Sequence, residues 1–120
     1  TTGSNLPAGS GVFNCTSSRT TKENFAAVDG EQLLATLRQV PVSTWNYTAE
    51  GAQARHIGPM AEDFHAAFGL GTNNTSIGVQ DLAGIAIAAV KALDERTAEV
   101  DALRAQMLSL EERLAKLEQK

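Results

Sequence analysis

The chain has 120 residues, ten Lys and Arg against fourteen Asp and Glu, and a formal net charge of −4, a size that allows one small domain with appendages and excludes a large independent core. Charges of both signs are interspersed without a basic stripe, so the counterion-release contribution to nucleic-acid binding is small, and neither DNA nor RNA is expected as a partner. No apolar run approaches the roughly 18 residues that span a bilayer, so no membrane insertion is expected.

The chain opens Thr1-Thr2-Gly3 without an initiator methionine and reads as a piece of a longer polypeptide. Residues 1–11 are rich in Gly, Ser, Thr and Asn and have little to bury, which predicts an extended arm or the end of an upstream stalk. Val12 and Phe13 predict a short strand that enters a polar loop running from Asn14 to Lys22. Cys15, the one cysteine, excludes an intrachain disulfide and a cysteine-based zinc site, and it reads as a small, partly buried apolar residue.

Asp29 followed by Gln32 has capping-box spacing, and Leu33, Leu34, Leu37 and Val40 lie on one helical face before Pro41 stops the helix. Trp45 and Tyr47 share one face of a predicted strand, with Ala54 to Ile57 as its partner across the Ala49–Gln53 turn. Gly58-Pro59 suits a helix start, Met60, Phe64 and Phe68 recur every four residues, and Gly69 suits a left-handed cap. That helix is expected to pack on the hairpin. Its first turn carries Glu62 and Asp63, where negative charge favours the helix dipole. His56 and His65 have no third ligand nearby, so no metal site is expected.

Asp81 can cap a final helix that meets no proline before Lys120, about 60 Å long at 1.5 Å per residue. Leu93, Val100, Met107 and Leu114 recur every seven residues, and Leu103, Leu110 and Leu117 follow three later, as at the a and d positions of a coiled coil. Glu99 and Arg113 then fall at g, with Arg104 and Glu118 at e, so parallel, in-register helices pair Glu99 with Arg104 and Arg113 with Glu118 across chains. Each exposed pair contributes at most about 1 kcal/mol and selects orientation more than it stabilises. Upstream the register breaks, because Arg96 lands at d and Thr97 takes the apolar side. The heptads alone leave dimer and trimer both open. The predicted architecture is therefore α+β: an arm (1–11), a small head with a β-hairpin and two short helices (12–80), and a long C-terminal helix forming a parallel coiled coil (81–120).

Ser17-Ser18-Arg19-Thr20-Thr21-Lys22-Glu23-Asn24-Phe25, read with Arg55-His56-Ile57-Gly58-Pro59-Met60-Ala61-Glu62-Asp63-Phe64, resembles the endosialidase-type intramolecular chaperone family of phage tailspikes and tail fibres. Members of that family usually show a Ser-Asp-x-x-x-Lys-x-Asn signature. Trp45-Asn46-Tyr47 and Val79-Gln80-Asp81 extend the match, which covers residues 13–93. The resemblance implies a homotrimer that holds three fibre chains in register while their upstream stalk folds, as part of a virion tail fibre or cell-surface fibre. It also implies a single self-cleavage before the serine, here between Thr16 and Ser17, with no external substrate and no cofactor.

Carried onto this sequence, the resemblance makes Ser17 the nucleophile and Lys22 its general base, with Asn24 and His56 as supporting residues. A serine hydroxyl is inert at neutral pH until a positioned base removes its proton, and a lysine serves only when neutral. Lowering a lysine pKa from about 10.4 to about 7.5 corresponds to roughly 4 kcal/mol, which calls for a largely closed pocket that a trimer supplies better than a monomer. Residues five apart point to opposite faces of a strand and sit far apart around a helix, so a turn must bring Ser17 and Lys22 together. Ser18 replaces the usual Asp and removes a charge that could orient the loop. Two functions stand at this point: a self-cleaving chaperone, and a permanently attached, non-cleaving trimeric fibre tip with a structural or surface-binding role.

Overall fold

The computed structural model describes residues 2–119; Thr1 and Lys120, the outermost residues of the expected arm and long helix, lie outside them. The fold is α+β, with two small antiparallel hairpins, short helices and one long C-terminal helix. In chain order these are β1 (Ser4–Asn5), β2 (Asn14–Cys15), a one-turn 3-10 helix (Arg19–Thr21), α1 (Gly30–Arg38), β3 (Ser43–Trp45), β4 (His56–Gly58), α2 (Ala61–Phe68) and α3 (Val79–Glu118). The 40 residues of α3 set the longest dimension, 75 Å.

The core lies where α1 and α2 meet the upper part of α3. Asp29 caps α1 as its spacing predicts, its Oδ1 accepting from the Gln32 N–H at 3.2 Å. The cap starts the helix with Leu33 and Leu34 facing inward, where they pack with Phe64 of α2 and with Ile85, Ala89 and Ala92 of α3. Leu37, Phe68, Ile77 and Ala88 close the edges. Alanines on α3 let α1 come close: a Cβ on Gly30 would stand 2.9 Å from the Ala92 Cβ. The expected packing of α2 on the hairpin is corrected here, because Phe64, only 3 % exposed, turns into the helical core, whose burial is larger than a three-residue ladder offers.

Gly69 ends α2 in the left-handed conformation (φ 64°) that glycine adopts without steric cost, as predicted. The β3–β4 hairpin pairs Ser43 with Gly58, Thr44 with Ile57 and Trp45 with His56, so the ladder lies upstream on the first strand and is shorter and shifted on the second relative to the expected Trp45–Tyr47 and Ala54–Ile57. Arg55 accounts for the difference. Its guanidinium donates to Asn46 Oδ1 at 3.1 Å and Thr44 Oγ1 at 3.0 Å, satisfying the connecting loop through side chains rather than through ladder bonds. Trp45 and Tyr47 still meet, edge to face at 4.8 Å between ring centroids.

Within the expected arm Ser4 and Asn5 pair with Cys15 and Asn14, across a turn closed by Ser10 N–H donating to the Pro7 carbonyl at 3.0 Å. Three further expectations are corrected. The ladder uses Asn14–Cys15 rather than Val12–Phe13, since Gly9 at φ 79° closes the turn and sets the register downstream of it. That leaves Phe13 70 % exposed, and Cys15 is exposed rather than partly buried because nothing packs on this two-residue ladder. Finally, Asp81 is not the cap of the long helix. The cap is Gly78, two residues before Gln80, and Asp81 lies in the first turn with its carboxylate folded over Gly78, where it favours the dipole without a capping hydrogen bond.

The face that α3 turns to the head, Ile85, Ala89, Ala92 and Arg96, explains the broken heptad. Arg96 donates to Glu31 at the start of α1, Nε to Oε1 at 2.9 Å, and so belongs to the head rather than to an outward seam. Exposed on α3 instead are Val79, Ala83, Ala86, Val90, Leu93, Thr97 and Val100, spaced alternately by four and three residues. Below Val100, Leu103, Met107, Leu110, Leu114 and Leu117 continue the stripe and are also exposed.

The hydrogen bond from Arg96 holds the Glu31 carboxyl below its ordinary value of 4.5, and the Arg96 charge adds to it. A depressed acid contributes stability that is present above its unfolded pKa and lost as pH falls through the folded one. Glu31→Gln is therefore expected to reduce stability at neutral pH, with the difference from wild type shrinking below about pH 4.5 in urea titrations at stepped pH. Gly30→Ala is expected to cost about 1–2 kcal/mol through overpacking against Ala92, and adding Ala92→Gly to recover part of the loss in the same assay.

Candidate active site

A single turn of 3-10 helix builds the site. Ser18 caps it, its Oγ accepting from the Thr20 N–H at 3.3 Å and lying 2.8 Å from Thr20 Oγ1, while the Ser18 carbonyl accepts from Thr21 N–H at 3.1 Å and Thr21 Oγ1 at 2.8 Å. Serine is as good an N-cap as aspartate, so Ser18 keeps the turn although it brings no charge. Reversing the chain over this turn is what two residues five apart require. Lys22 Nζ reaches Ser17 Oγ at 2.7 Å.

A second partner comes from far along the chain. Gln80, in the first turn of α3, places Nε2 2.8 Å from the same Ser17 oxygen. Ser17, Arg19, Lys22 and Phe25 line an open depression, and Phe25 is 70 % exposed. Ser17, Lys22 and Gln80 are all exposed in the single chain.

On the upstream side, Thr16 ends the β1–β2 hairpin. Its N–H donates to the Gly3 carbonyl at 2.8 Å, but the return bond from Gly3 N–H goes to the Thr16 hydroxyl at 3.2 Å. A regular antiparallel pair would send that bond to the Thr16 carbonyl. Among the described residues this carbonyl accepts no hydrogen bond, so the side chain substitutes for it in the ladder. The peptide that joins Thr16 to Ser17 is thus anchored on both sides with its carbonyl free.

Of the supporting residues, Asn24 lies just beyond the turn at φ 56°, the left-handed conformation in which asparagine is enriched among non-glycine residues. His56 is placed elsewhere. It sits on β4 with Nε2 3.0 Å from Glu50 Oε1 and its ring 4.9 Å from that of Trp45, and it is not among the residues that line the Lys22 depression. His65 holds the end of α2 through Nδ1, 2.9 Å from the Leu70 carbonyl. Among the described residues no group of three His, Cys, Asp or Glu side chains could hold a metal ion.

The Ser17–Lys22 distance is within general-base reach, both residues lie on one turn, and a free carbonyl adjoins Ser17. Residues 17–69 match the family described as chaperone of endosialidase, beginning at Ser17 itself and ending at the Gly69 cap of α2. Over these residues the chain is similar to an endosialidase-type chaperone domain. No curated protein matches the chain. The matched segment contains the Ser17–Lys22 turn, α1, the β3–β4 hairpin and α2, whereas Gln80 and Thr16 lie outside it. Sequence reasoning passed over Gln80 as a site residue because no spacing rule connects positions 63 apart. Its signal was the Val79-Gln80-Asp81 stretch, which extends the resemblance into the start of the last helix without giving Gln80 a role. The role of the Thr16 hydroxyl had no signal, since it depends on the register of a two-residue ladder.

The capping role of Ser18 is open to a direct check. Ser18→Ala is expected to remove about 1 kcal/mol from the turn, raising amide exchange at Thr20 roughly fivefold by NMR, and Ser18→Asp to leave it near the wild-type value.

Proposed function

We propose that this chain is the trimerisation and folding module of a phage-tail-type fibre or spike, and that it releases itself by one cut between Thr16 and Ser17. The observation that carries the cleavage is the 2.7 Å approach of Lys22 Nζ to Ser17 Oγ, at the head of the matched chaperone domain. Trimerisation draws its support from α3. An exposed apolar stripe as long as this one is unusual on a monomer and is covered in parallel coiled coils. Its upper part runs Val79, Ala83, Ala86, Val90, Leu93, Thr97 and its lower part Leu103, Met107, Leu110, Leu114, Leu117, joined at Val100 by two successive three-residue steps. A stammer of that kind overwinds the coil locally, just below the point where Arg96 is taken up by the head. Phe13 and Phe25, each 70 % exposed, are further apolar surface for neighbouring copies to cover.

Holding three copies in register serves the upstream stalk by lowering the entropic cost of aligning chains that must intertwine. The cut follows from the dyad. Lys22 Nζ takes the Ser17 hydroxyl proton as Oγ attacks the Thr16 carbonyl carbon; the carbon–nitrogen bond breaks, and the proton passes to the Ser17 nitrogen as it leaves. Thr16 is then esterified to Ser17 Oγ. Water hydrolyses the ester, giving a Thr16 carboxylate and a new N-terminus at Ser17 with its hydroxyl restored. Because Lys22 must be neutral and is exposed in one chain, a neighbouring copy that closes the depression around Phe25 supplies the dry surroundings.

Intact mass and denaturing electrophoresis of the purified chain are expected to show loss of residues 1–16 in wild type, at a rate that rises with pH, and none in Ser17→Ala or Lys22→Ala. An uncut wild type would leave the permanently attached trimeric tip as the function. Sedimentation equilibrium at micromolar concentration is expected to give a trimer. Truncation before Glu95 should weaken assembly more than any substitution on the head surface, and a monomeric full chain would rule the module out.

A further inference from the structure

Ser17 Oγ is held by two nitrogens of different chemistry, Lys22 Nζ at 2.7 Å and Gln80 Nε2 at 2.8 Å. A hydroxyl oxygen has one hydrogen to donate and two lone pairs to accept with. An amide nitrogen has no lone pair available for a hydrogen bond, so Gln80 can only donate to Ser17 through Nε2. That bond occupies one lone pair and leaves the Ser17 hydrogen free to turn toward a neutral Lys22 amine. The other lone pair faces the reaction. Without Gln80 the hydroxyl keeps a rotor that can point its hydrogen or its lone pairs in several directions.

We propose that Gln80 is a positioning residue for the Ser17 nucleophile, so that the first turn of α3 completes the cleavage site from 63 residues away. The inference rests on the Ser17–Lys22 cleavage proposed above. The same donor also stabilises the negative charge that grows on Oγ as its proton leaves for Lys22. Gln80 stands where it does because Gly78 caps α3 two residues earlier and because Ile85, Ala89 and Ala92 seat the helix against α1 and α2. A chain whose long helix has not yet docked lacks this donor. Cleavage is thereby tied to a formed head: the serine turn folds locally, and its activation waits for the helix. The adjacent Val79, 81 % exposed, opens the apolar stripe, so the site also lies at the upper end of the surface on which copies meet.

The test compares cleavage of the full chain in wild type, Gln80→Met and Gln80→Glu, followed by intact mass across pH, with sedimentation and thermal melting run in parallel. Gln80→Met keeps the length and removes the donor; it is expected to slow cleavage about 10- to 100-fold with oligomeric state and melting unchanged. Gln80→Glu places a carboxylate beside the Lys22 ammonium, with Arg19 the other charged group lining the depression. Cleavage by this variant is expected to be slow, with the midpoint of its pH–rate profile moved upward, a change that a purely structural role would not produce. Wild-type rates and an unmoved profile in both variants would overturn the role of Gln80 while leaving the dyad intact. So would slow cleavage accompanied by loss of the trimer or of the melting transition. A wild type that does not cleave would instead overturn the cleavage proposal, and the positioning role with it.

Discussion

The seating of α1 and α2 on the upper part of α3 is the contact on which the rest of the molecule depends. Leu33, Leu34 and Phe64 close over Ile85, Ala89 and Ala92, and the Gly30–Ala92 approach requires a small residue on each side. Since α3 offers its alanine face to its own head, the rotation of the helix about its axis is settled there. Everything that points elsewhere follows from that rotation: Arg96 toward Glu31, Gln80 toward Ser17, and the Val79-to-Thr97 stripe away from the head. Among the described residues six buried side chains form the core cluster, small for a chain of this length, and much apolar side-chain area remains exposed on α3. The proposed trimer is what would bury the remainder.

The proposed cleavage and the proposed assembly meet at the start of α3. The Ser17–Lys22 pair is made by a local turn whose cap, Ser18, needs no tertiary support, but both side chains stand in water in a single chain. A serine–lysine pair in water is held back by the stability of the ammonium. The proposed activation thus calls for covering, which the proposed trimer draws from other copies of the same chain. The free Thr16 carbonyl fits that proposal, because the Thr16 hydroxyl takes its ladder bond from Gly3 and leaves the Thr16–Ser17 peptide carbonyl unpaired among the described residues.

Short-range features were legible from the residues alone. The Asp29 cap, the Leu33–Leu34 face and the Gly69 terminus each involve positions within one or two helical turns, where sequence spacing and spatial spacing coincide. Trp45 and His56 were placed in one hairpin for the same reason, although the Arg55 side-chain bonds shortened the ladder. The expected Asp81 cap failed by a turn, because glycine at position 78 admits the Asp81 carboxylate over it and lets the helix begin earlier. The packing of α2 was misplaced, since a Phe64–Phe68 face records that something is covered without recording what. His56, a candidate lining residue for the Lys22 pocket, stands with Glu50 and Trp45 in the single chain.

By itself the sequence determined the short helices, the length of α3, its leucine repeat and the Ser17-to-Lys22 signature, since each is written in neighbours a few residues apart. The tertiary structure alone decided that Arg96 belongs to the head, that the exposed stripe above Val100 shifts by one position, and that Gln80 reaches Ser17. Those facts depend on the docked angle of one helix, which is a sum over contacts between residues distant in the chain. No local period encodes such a sum.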